Sequence, residues 1–592
     1  MSAEWKLIFK YFSDLQTFIM RSTILKALCL SILLGCQNPP LPLADRDNGG
    51  LLLPDGFQAL VVADSVGPTR HIAVSAQGDI YAKLKITTPE PGNVALRDTS
   101  GDGRMDYMQR FGDYPNDGTF ATEMRIHNGY LYYSSEQVVY RQKLHNENLI
   151  PDGTPEVIMR DHHPRQWHNA KSLAFDDEGG MYVTFSAPTN VCENWMEQPS
   201  TSSAYISGEY PCQQLIDQAG IWRFEADKAE QIQSDGIKFA RGLRSVVAIA
   251  WNPEDQSLYA AQHGRDYLYG HAPHLYTPWQ NAVLPAEEFI RVREGEDYGW
   301  PYSYYDPFKK KRILAPEYGG DGEKQPDQFK FADPLLGLPA HWAPNDLLFY
   351  RGDQFPDRYK KGAFIAFHGS TNRSPYPQAG YIVAFLPFEN GEPTGDWEVF
   401  ADGFAGKDTL KEMSQASFRP MGLAEGPDGS LYISESTKGR IWRVMFTGDK
   451  SSFGSAALEK MNRRESVSYL RTPDPIADNL SLNEPVDAAL LYSTYCAPCH
   501  EQQGEGQQFI YPPIAKSDWV NGDKEKYIRS VLFGLEGEIK VNNATYNQIM
   551  PKFEFLSDDQ LAGLLTYIKS GFGNSGGKIS KEEISNIRTG GK

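Results

Sequence analysis

The sequence predicts a mainly β molecule, a six-bladed β-propeller followed by a second, small all-α domain. Three observations carry this. A short turn-plus-strand pattern recurs six times through the middle of the chain, helical periodicity is confined to the end, and the composition is aromatic-rich and turn-rich. The 592 residues include 30 Phe, 32 Tyr and 11 Trp beside 53 Gly and 39 Pro, with 40% of positions apolar. That supplies ample area to bury and many places to turn. Lys and Arg number 58 against 76 Asp and Glu, a net charge of −18. Such a surface is repelled by a phosphate backbone, so nucleic acid is excluded as a bulk partner.

From the N-terminus, the first informative stretch runs from Met20 to Cys36, MRSTILKALCLSILLGC. A basic start and a short apolar run fit a signal peptide, because the run is too short to span a bilayer. A buried core helix is the weaker alternative, since the QNPPLPLADRDNGG that follows cannot pack. Leu33-Leu34-Gly35-Cys36 resembles the lipobox of bacterial lipoproteins. The resemblance implies a start at Met20, cleavage before Cys36 and acylation of its thiol, with 1–36 as signal region and 37–53 as tether. The protein would touch a membrane through a lipid anchor only. It would be a periplasm-facing lipoprotein of the bacterial cell envelope, at the outer membrane. Export to an oxidising compartment lets Cys192 and Cys212 pair as a disulfide, with two buried free thiols as the alternative.

The six repeats follow within a body assigned to 54–446. They read SAQGDIYAKL at 75–84, HNGYLYYSSEQVVYRQKL at 127–144, DEGGMYVTFSA at 177–187 with AGIWRFEADK at 219–228, PEDQSLYAAQHGRDYL at 253–268, KKGAFIAFHGSTNRS at 360–374 with GYIVAFLPF at 380–388, and PDGSLYISESTKGRIWRVMF at 427–446. Each puts Gly or Asp-Gly in a tight turn and then alternates apolar positions with the period of a strand. One unit cannot bury its own faces, whereas six arranged radially can. A sandwich or solenoid built from the same pattern is the alternative. Residues 447–484 read as a linker, 485–574 as the small helical domain and 575–592 as a tail. Ser557-Asp558-Asp559-Gln560 is a capping box opening a run with Leu561, Leu564, Leu565 and Ile568 at helical spacing.

Within 485–574, Cys496-Ala497-Pro498-Cys499-His500 is a CxxCH. Two thiols at this spacing can add to the vinyl groups of heme c while the next histidine meets the iron. A zinc or redox CxxC is the alternative, but no second Cys pair lies nearby. Met550 in YNQIMPKF could supply the second axial ligand, or be an ordinary core methionine. The segment resembles a small monoheme cytochrome c, which implies a one-electron carrier and a downstream electron acceptor, a cytochrome or oxidase.

The body contains no GxGxxG opening a βαβ unit. It resembles instead the quinoprotein glucose/sorbosone dehydrogenases, propellers that hold pyrroloquinoline quinone (PQQ) and Ca²⁺ on the axis. Four local matches carry the resemblance. Trp167-His168-Asn169 stands where the family places its catalytic histidine, a general base for a sugar hydroxyl. RGLRSVVAIAWNPEDQSLYAAQHGRDYL at 241–268 implies Arg244 as the active-site arginine, with Gly264 and Arg265 giving carbonyl oxygens to Ca²⁺. HGSTNRS at 368–374 and SFRPMGLAEGPDG at 417–429 imply that Arg373 and Arg419 bind the cofactor's carboxylates. Ser245 and Val247 depart from the glucose-oxidising members, which carry polar cofactor contacts there. The Cys192/Cys212 insertion resembles the sorbosone-type branch and is expected to lid one edge of the site.

Asp98, Ser100, Asp102 and Asp106 space oxygens as in a calcium loop, but Gln109 occupies position 12, so a plain Asp/Gly turn remains open beside a structural Ca²⁺. The resulting expectation is a periplasmic quinohemoprotein that oxidises a sugar (aldose, pyranose or sorbosone-like) with PQQ and Ca²⁺ and passes electrons to heme c. Two other readings stand beside it: a Ca²⁺-dependent propeller hydrolase or lactonase, and a non-catalytic carbohydrate-binding propeller carrying an electron-transfer cytochrome.

Overall fold

Each of the six repeats folds as one antiparallel sheet. The computed structural model describes all residues except 1–40, 86–91, 113, 115–122, 146, 164–169, 194–206, 273, 476–487, 508–510, 549, 551, 555 and 591–592. The signal region with Cys36, and the histidine His168, therefore lie outside the described residues. Blade 1 runs from Thr69–Val74 out to Tyr107–Phe111, and blade 2 from Met124–His127 out to Asp152–Arg160. Blade 3 runs from Leu173–Phe175 to Ile237–Arg241, blade 4 from Val246–Asn252 to Leu336–Leu338, and blade 5 from Pro344–Phe349 to Glu398–Ala401. Blade 6 begins at Pro420–Glu425.

The ring closes across the termini of the body. Phe57–Ala63 pairs antiparallel with Ile441–Phe446, so the first strand of the body is the outer strand of the last blade. The side chains at this seam explain its register. Phe57 lies opposite Phe446 and packs edge-on against Phe355, Phe400 and Phe446, with ring centroids 4.8, 5.1 and 4.9 Å away. Edge-to-face contacts of this kind add to plain area burial. Central strands are buried on both faces, as Gly362–Phe367 is at every position. The turns follow the Asp-Gly signals: Asp428 accepts from the Ser430 amide while Gly429 takes a φ of 80°.

Two segments are more ordered than their composition implies. Within the predicted linker 447–484, the helix Ser455–Asn462 and the turn after it lie on the propeller, and Met461, Tyr469 and Leu470 are buried in its core. Tyr469 and Arg464 both hydrogen-bond the buried Asp402, at 2.7 and 2.6 Å. Charged residues around the one helical anchor, Met461, and around Tyr469-Leu470 after the helix mask these apolar anchors in the sequence. The predicted tail likewise contributes a helix, Lys581–Gly590, with Ile584 buried. Glu583 pairs with Lys524, and Arg588 with Asp558, closing it onto the helical domain.

That domain is built on the helices Lys524–Phe533 and Asp558–Ser570 around one apolar cluster. The capping box forms, Ser557 accepting from the Gln560 amide at 3.2 Å while its own amide donates to the Gln560 side chain at 2.9 Å. Among the described residues no helix is long and apolar enough to cross a membrane.

Candidate functional site

The first strand of each blade lines the axis, so residues at the starts of these strands converge although they are far apart in sequence. Arg70 opens the inner strand of blade 1, Arg244 and Ser245 precede that of blade 4, Asn345 lies in that of blade 5, and Arg419 precedes that of blade 6. Val247, Ala170 and Met421 pack together as a small apolar floor. Val247, a departure noted in the sequence, is thus a packing residue of the hub.

The pocket above this floor is crowded with positive charge. Burial and the neighbouring Arg419 push the Arg70 guanidinium down to about 9. Burial, Arg70 and Arg419 push the Lys85 ammonium down to about 7. Burial lowers Arg373 to about 10 and also lowers Arg419. His368 falls well below its usual value through burial and the charges of Arg419, Arg70 and Lys85. Arg419 is fixed by protein acceptors, donating to the Gly369 carbonyl at 2.7 Å, the His368 carbonyl at 3.2 Å and His368 Nδ1 at 2.8 Å. His368 Nε2 in turn lies 2.6 Å from Ser436 Oγ. Gly369 must be glycine, since a Cβ there would lie 2.4 Å from the Tyr381 ring.

Several polar atoms aimed into this space have no protein partner. Arg70 Nε, Arg373 Nε, Ser245 Oγ, Asn345 Oδ1 and the Tyr381 hydroxyl are buried without a hydrogen bond. Buried polar groups and charges are costly unless paired; the two guanidinium Nε groups and the hydroxyls of Ser245 and Tyr381 are donors that fit a polyanionic ligand with several carboxylates, while Asn345 Oδ1 is an acceptor. This is the chemistry PQQ presents. Arg70, Lys85, His368 and Tyr381 were not identified from the sequence. The only trace of them is a charged pair, Arg70-His71, inside an otherwise buried strand.

Arg244 is held by its own surroundings. Its guanidinium bonds Asp266 Oδ2 and the Gly264 carbonyl, each at 2.7 Å. Asp266 also accepts from Asn372 at 2.5 Å, and the Asn190 side-chain amide donates to its carbonyl and accepts from its backbone amide, each at 2.9 Å, which ties the disulfide insertion to the rim. The Cys192–Cys212 disulfide is formed and packs with Trp300 and Tyr302. Gly264 supplies a carbonyl beside the pocket, and its amide donates to buried Glu287 at 2.8 Å. Burial pushes the Glu287 carboxyl up to about 7. Arg265 turns its side chain away to a buried pair with Glu317 at 2.5 Å, which leaves only its backbone for a cation.

The calcium-like loop is closed by hydrogen bonds to its own backbone. Asp98 accepts from the amides of Ser100, Gly101 and Gly103, Asp102 from that of Arg104, and Asp106 from Thr99. Its carboxylates face the loop's own amides rather than a common centre, and no three His, Cys, Asp or Glu side chains among the described residues converge as a metal site.

In the helical domain a π-helical turn, Tyr492–Cys496, leads into the short helix Ala497–His500, and the CxxCH spans their junction. His500 Nδ1 lies 2.8 Å from the Pro512 carbonyl, which fixes the ring and leaves Nε2 for iron. Cys496 and Cys499 are free thiols. Met550 is held opposite Leu535 by paired backbone bonds of 2.9 and 3.1 Å and packs on the cluster that contains Cys496. The residues therefore fit a heme c with His500 and Met550 on its two faces.

Comparison with known proteins agrees with this partition. Residues 51–447 match the TrAA12-like family and residues 486–572 the cytochrome c family. The iodide structure of the Trichoderma reesei carbohydrate-active enzyme of family AA12 superposes with a TM-score of 0.53 at 17% identity, covering 69% of this chain and 100% of that one. The holo form of the pyranose dehydrogenase PQQ domain from Coprinopsis cinerea gives 0.52 at 16% identity, covering 69% and 99%. Among curated proteins, the fructose dehydrogenase cytochrome subunit of Gluconobacter japonicus is 32% identical over 314 residues, 50% of this chain and 56% of its own length. An uncharacterized protein of Borreliella burgdorferi is 29% identical over 208 residues, 35% and 48%. The chain thus spans about half the length of these two relatives. Cytochrome c-552 of Thermus thermophilus is 33% identical over 111 residues, 17% of this chain and 84% of that protein.

Proposed function

Because the chain belongs to the TrAA12-like family and carries a cytochrome c domain behind its propeller, we propose that it is a quinohemoprotein dehydrogenase. It oxidises a sugar, an aldose, pyranose or sorbosone-like compound, with PQQ and Ca²⁺ and passes the electrons to a covalently bound heme c. In the axial pocket PQQ would supply a two-electron acceptor for the hydride leaving the substrate carbon. The chain's own residues do the rest. Arg373, Arg419, Arg70 and Lys85 neutralise the carboxylates, and their burial strengthens each contact. His368 stays neutral and orients Arg419. His168 takes the proton of the substrate hydroxyl as general base. The Gly264 and Arg265 carbonyls hold Ca²⁺, with Arg244 kept beside them by Asp266. Cys496 and Cys499 carry the heme, and His500 and Met550 ligate its iron.

The proposal extends to location: acylation at Cys36 would anchor the protein in the cell envelope, facing the periplasm. The single observation that supports the reading most strongly is the set of mutually repelling buried cations with orphaned nitrogens at the hub. The test is sugar-dependent reduction of the heme in purified protein, with and without added PQQ. Heme reduction that needs PQQ and is lost on Ca²⁺ chelation supports the proposal. Heme reduction indifferent to both overturns it, as does sugar turnover with the heme left oxidised.

A further inference from the structure

Two hydrogen bonds fasten the CxxCH to the rim of the axial pocket, one at each end of the motif. Before it, the Tyr495 hydroxyl donates to the Gly270 carbonyl of the propeller at 2.8 Å. After it, the Gln502 side-chain amide donates to Ser374 Oγ, beside Arg373, at 3.2 Å. Tyr495 is buried, and its ring packs against both domains. Its centroid lies 6.2 Å from that of Tyr267 in the propeller and 6.0 Å from that of Phe553 in the cytochrome. The approach requires glycine at 270, where a Cβ would lie 2.6 Å from the Tyr495 ring. Glu501 turns the chain out of the helix Ala497–His500 with a φ of 64°, a strained conformation for a non-glycine residue, and that turn delivers Gln502 to Ser374.

The two anchor points belong to loops that also hold the site. Gly270 lies four residues after Asp266, which pairs with Arg244 at 2.7 Å, and Ser374 follows Arg373. The loops are tied to each other as well. Asn372 donates to Asp266 at 2.5 Å. Asn281 donates to the Asn372 carbonyl and accepts from the Tyr269 amide, each at 3.2 Å. Both anchoring bonds join neutral groups, so salt does not screen them.

We propose that Tyr495 and Gln502 are positioning residues that hold the heme-bearing motif on the pocket rim, so that electrons pass within one chain across a fixed seam rather than through a mobile cytochrome. This rests on the dehydrogenase reading above. Each oxidation removes two electrons and two protons from the substrate, and the protons go to solvent. The electrons cross singly, so heme iron(III) is reduced to iron(II) twice per turnover. An external one-electron acceptor, a cytochrome or oxidase, reoxidises it after each transfer.

The test uses the full heme-loaded chain and the double variant Tyr495→Phe/Gln502→Ala. Without PQQ, hydrogen–deuterium exchange reads the seam itself. The amides of His271, Ala272 and Tyr376, all bonded within the anchor loops, should exchange about tenfold faster in the variant, the worth of one to two lost hydrogen bonds. Amides of the strand Val246–Asn252 should not change. With PQQ bound, rapid mixing with sugar follows heme reduction, and a soluble dye that takes electrons directly from the propeller follows sugar oxidation. Wild-type heme reduction should keep one rate constant at every protein concentration and salt level. The variant should reduce its heme about tenfold more slowly, with dye reduction and the heme's midpoint potential at wild-type values. If the double variant fails to take up heme, Gln502→Ala alone, which leaves the surroundings of Cys496 intact, should show about a threefold slowing. Unchanged heme reduction in the variant, whatever its exchange, overturns the fixed seam while leaving the dehydrogenase intact. So does a wild-type rate that rises with protein concentration. A wild-type protein that reduces neither dye nor heme overturns the reading on which the seam rests.

Discussion

Replacing Lys85 by methionine should stabilise the PQQ-free protein at neutral pH while weakening its hold on the cofactor. The reasoning starts from Lys85 at about 7, lowered from 10.5 by burial and by Arg70 and Arg419. The unfolded chain binds a proton at Lys85 up to 10.5, whereas the folded chain gives it up above about 7, so the unfolded state holds more protons between those values. Stability of the apoprotein must therefore rise with pH from 7 to 10.5, and the cost of the charge is fully present below 7. At 1.36 kcal/mol per pH unit the ceiling is roughly 5 kcal/mol. Solvent at the partly exposed ammonium brings the expected gain to about 2–3 kcal/mol. The assay is urea denaturation of heme-loaded, PQQ-free protein from pH 7 to 10, followed by circular dichroism of the strands. Wild type should gain stability from pH 7 upward, and Lys85→Met should start higher and stay flat until about pH 9, where Arg70 begins to give up its own proton. Saturating PQQ should flatten the wild-type profile, because bound carboxylates hold the ammonium charged in the folded state and add binding free energy there. Parallel profiles for wild type and variant, or a variant less stable at pH 7, would refute a net cost of burying the Lys85 charge.

Other perturbations probe the remaining contacts. Arg419→Gln removes the guanidinium that His368 and Gly369 position and should weaken PQQ by roughly 10–100-fold, the worth of one charge-assisted hydrogen bond, as read by equilibrium titration of the quinone absorbance. Gly270→Ala puts a methyl 2.6 Å from Tyr495 and should cost roughly 1–3 kcal/mol of packing at the domain seam; slower heme reduction and faster proteolysis between the domains would register it, with the heme spectrum unchanged. Joint replacement of Cys192 and Cys212 by serine opens a loop of 20 positions and should lower stability by about 3 kcal/mol, measured as a shift in the urea midpoint under non-reducing conditions.

The parts of this molecule that were legible in the sequence are those whose signal is local. Alternation with period two and the Asp-Gly turns place all six blades, because one blade is written in consecutive residues. The CxxCH is local for the same reason, and the capping box at Ser557 forms as its spacing requires. The buried anchors Met461, Tyr469 and Leu470 escaped because they are separated by polar residues in a stretch that resembles a tether. The loop at Asp98 reads two ways in the sequence because carboxylates at calcium spacing also satisfy backbone amides, as Asp98 does for Gly101 and Gly103.

The axial clamp is the least legible feature for a reason built into the fold. A propeller collects one or two residues from the start of each inner strand, so Arg70, Lys85, His368, Arg373 and Arg419 meet only after the ring closes through Phe57–Ala63. No window of sequence contains them together, and each alone is indistinguishable from a surface cation. Carboxylates act on part of the cluster, Glu123 on Arg70 and Glu435 and Glu501 on Arg419, yet burial, and for Arg70 the charge of Arg419, still hold both guanidiniums below their usual range. The chain is anionic overall at −18, yet the pocket is cationic, so the hub carries a charge opposite to that of its surroundings. A small polyanion would bring the missing carboxylates with it, whereas a neutral sugar would leave the guanidiniums repelling one another. The charge at the hub therefore favours an anionic ligand over a neutral one.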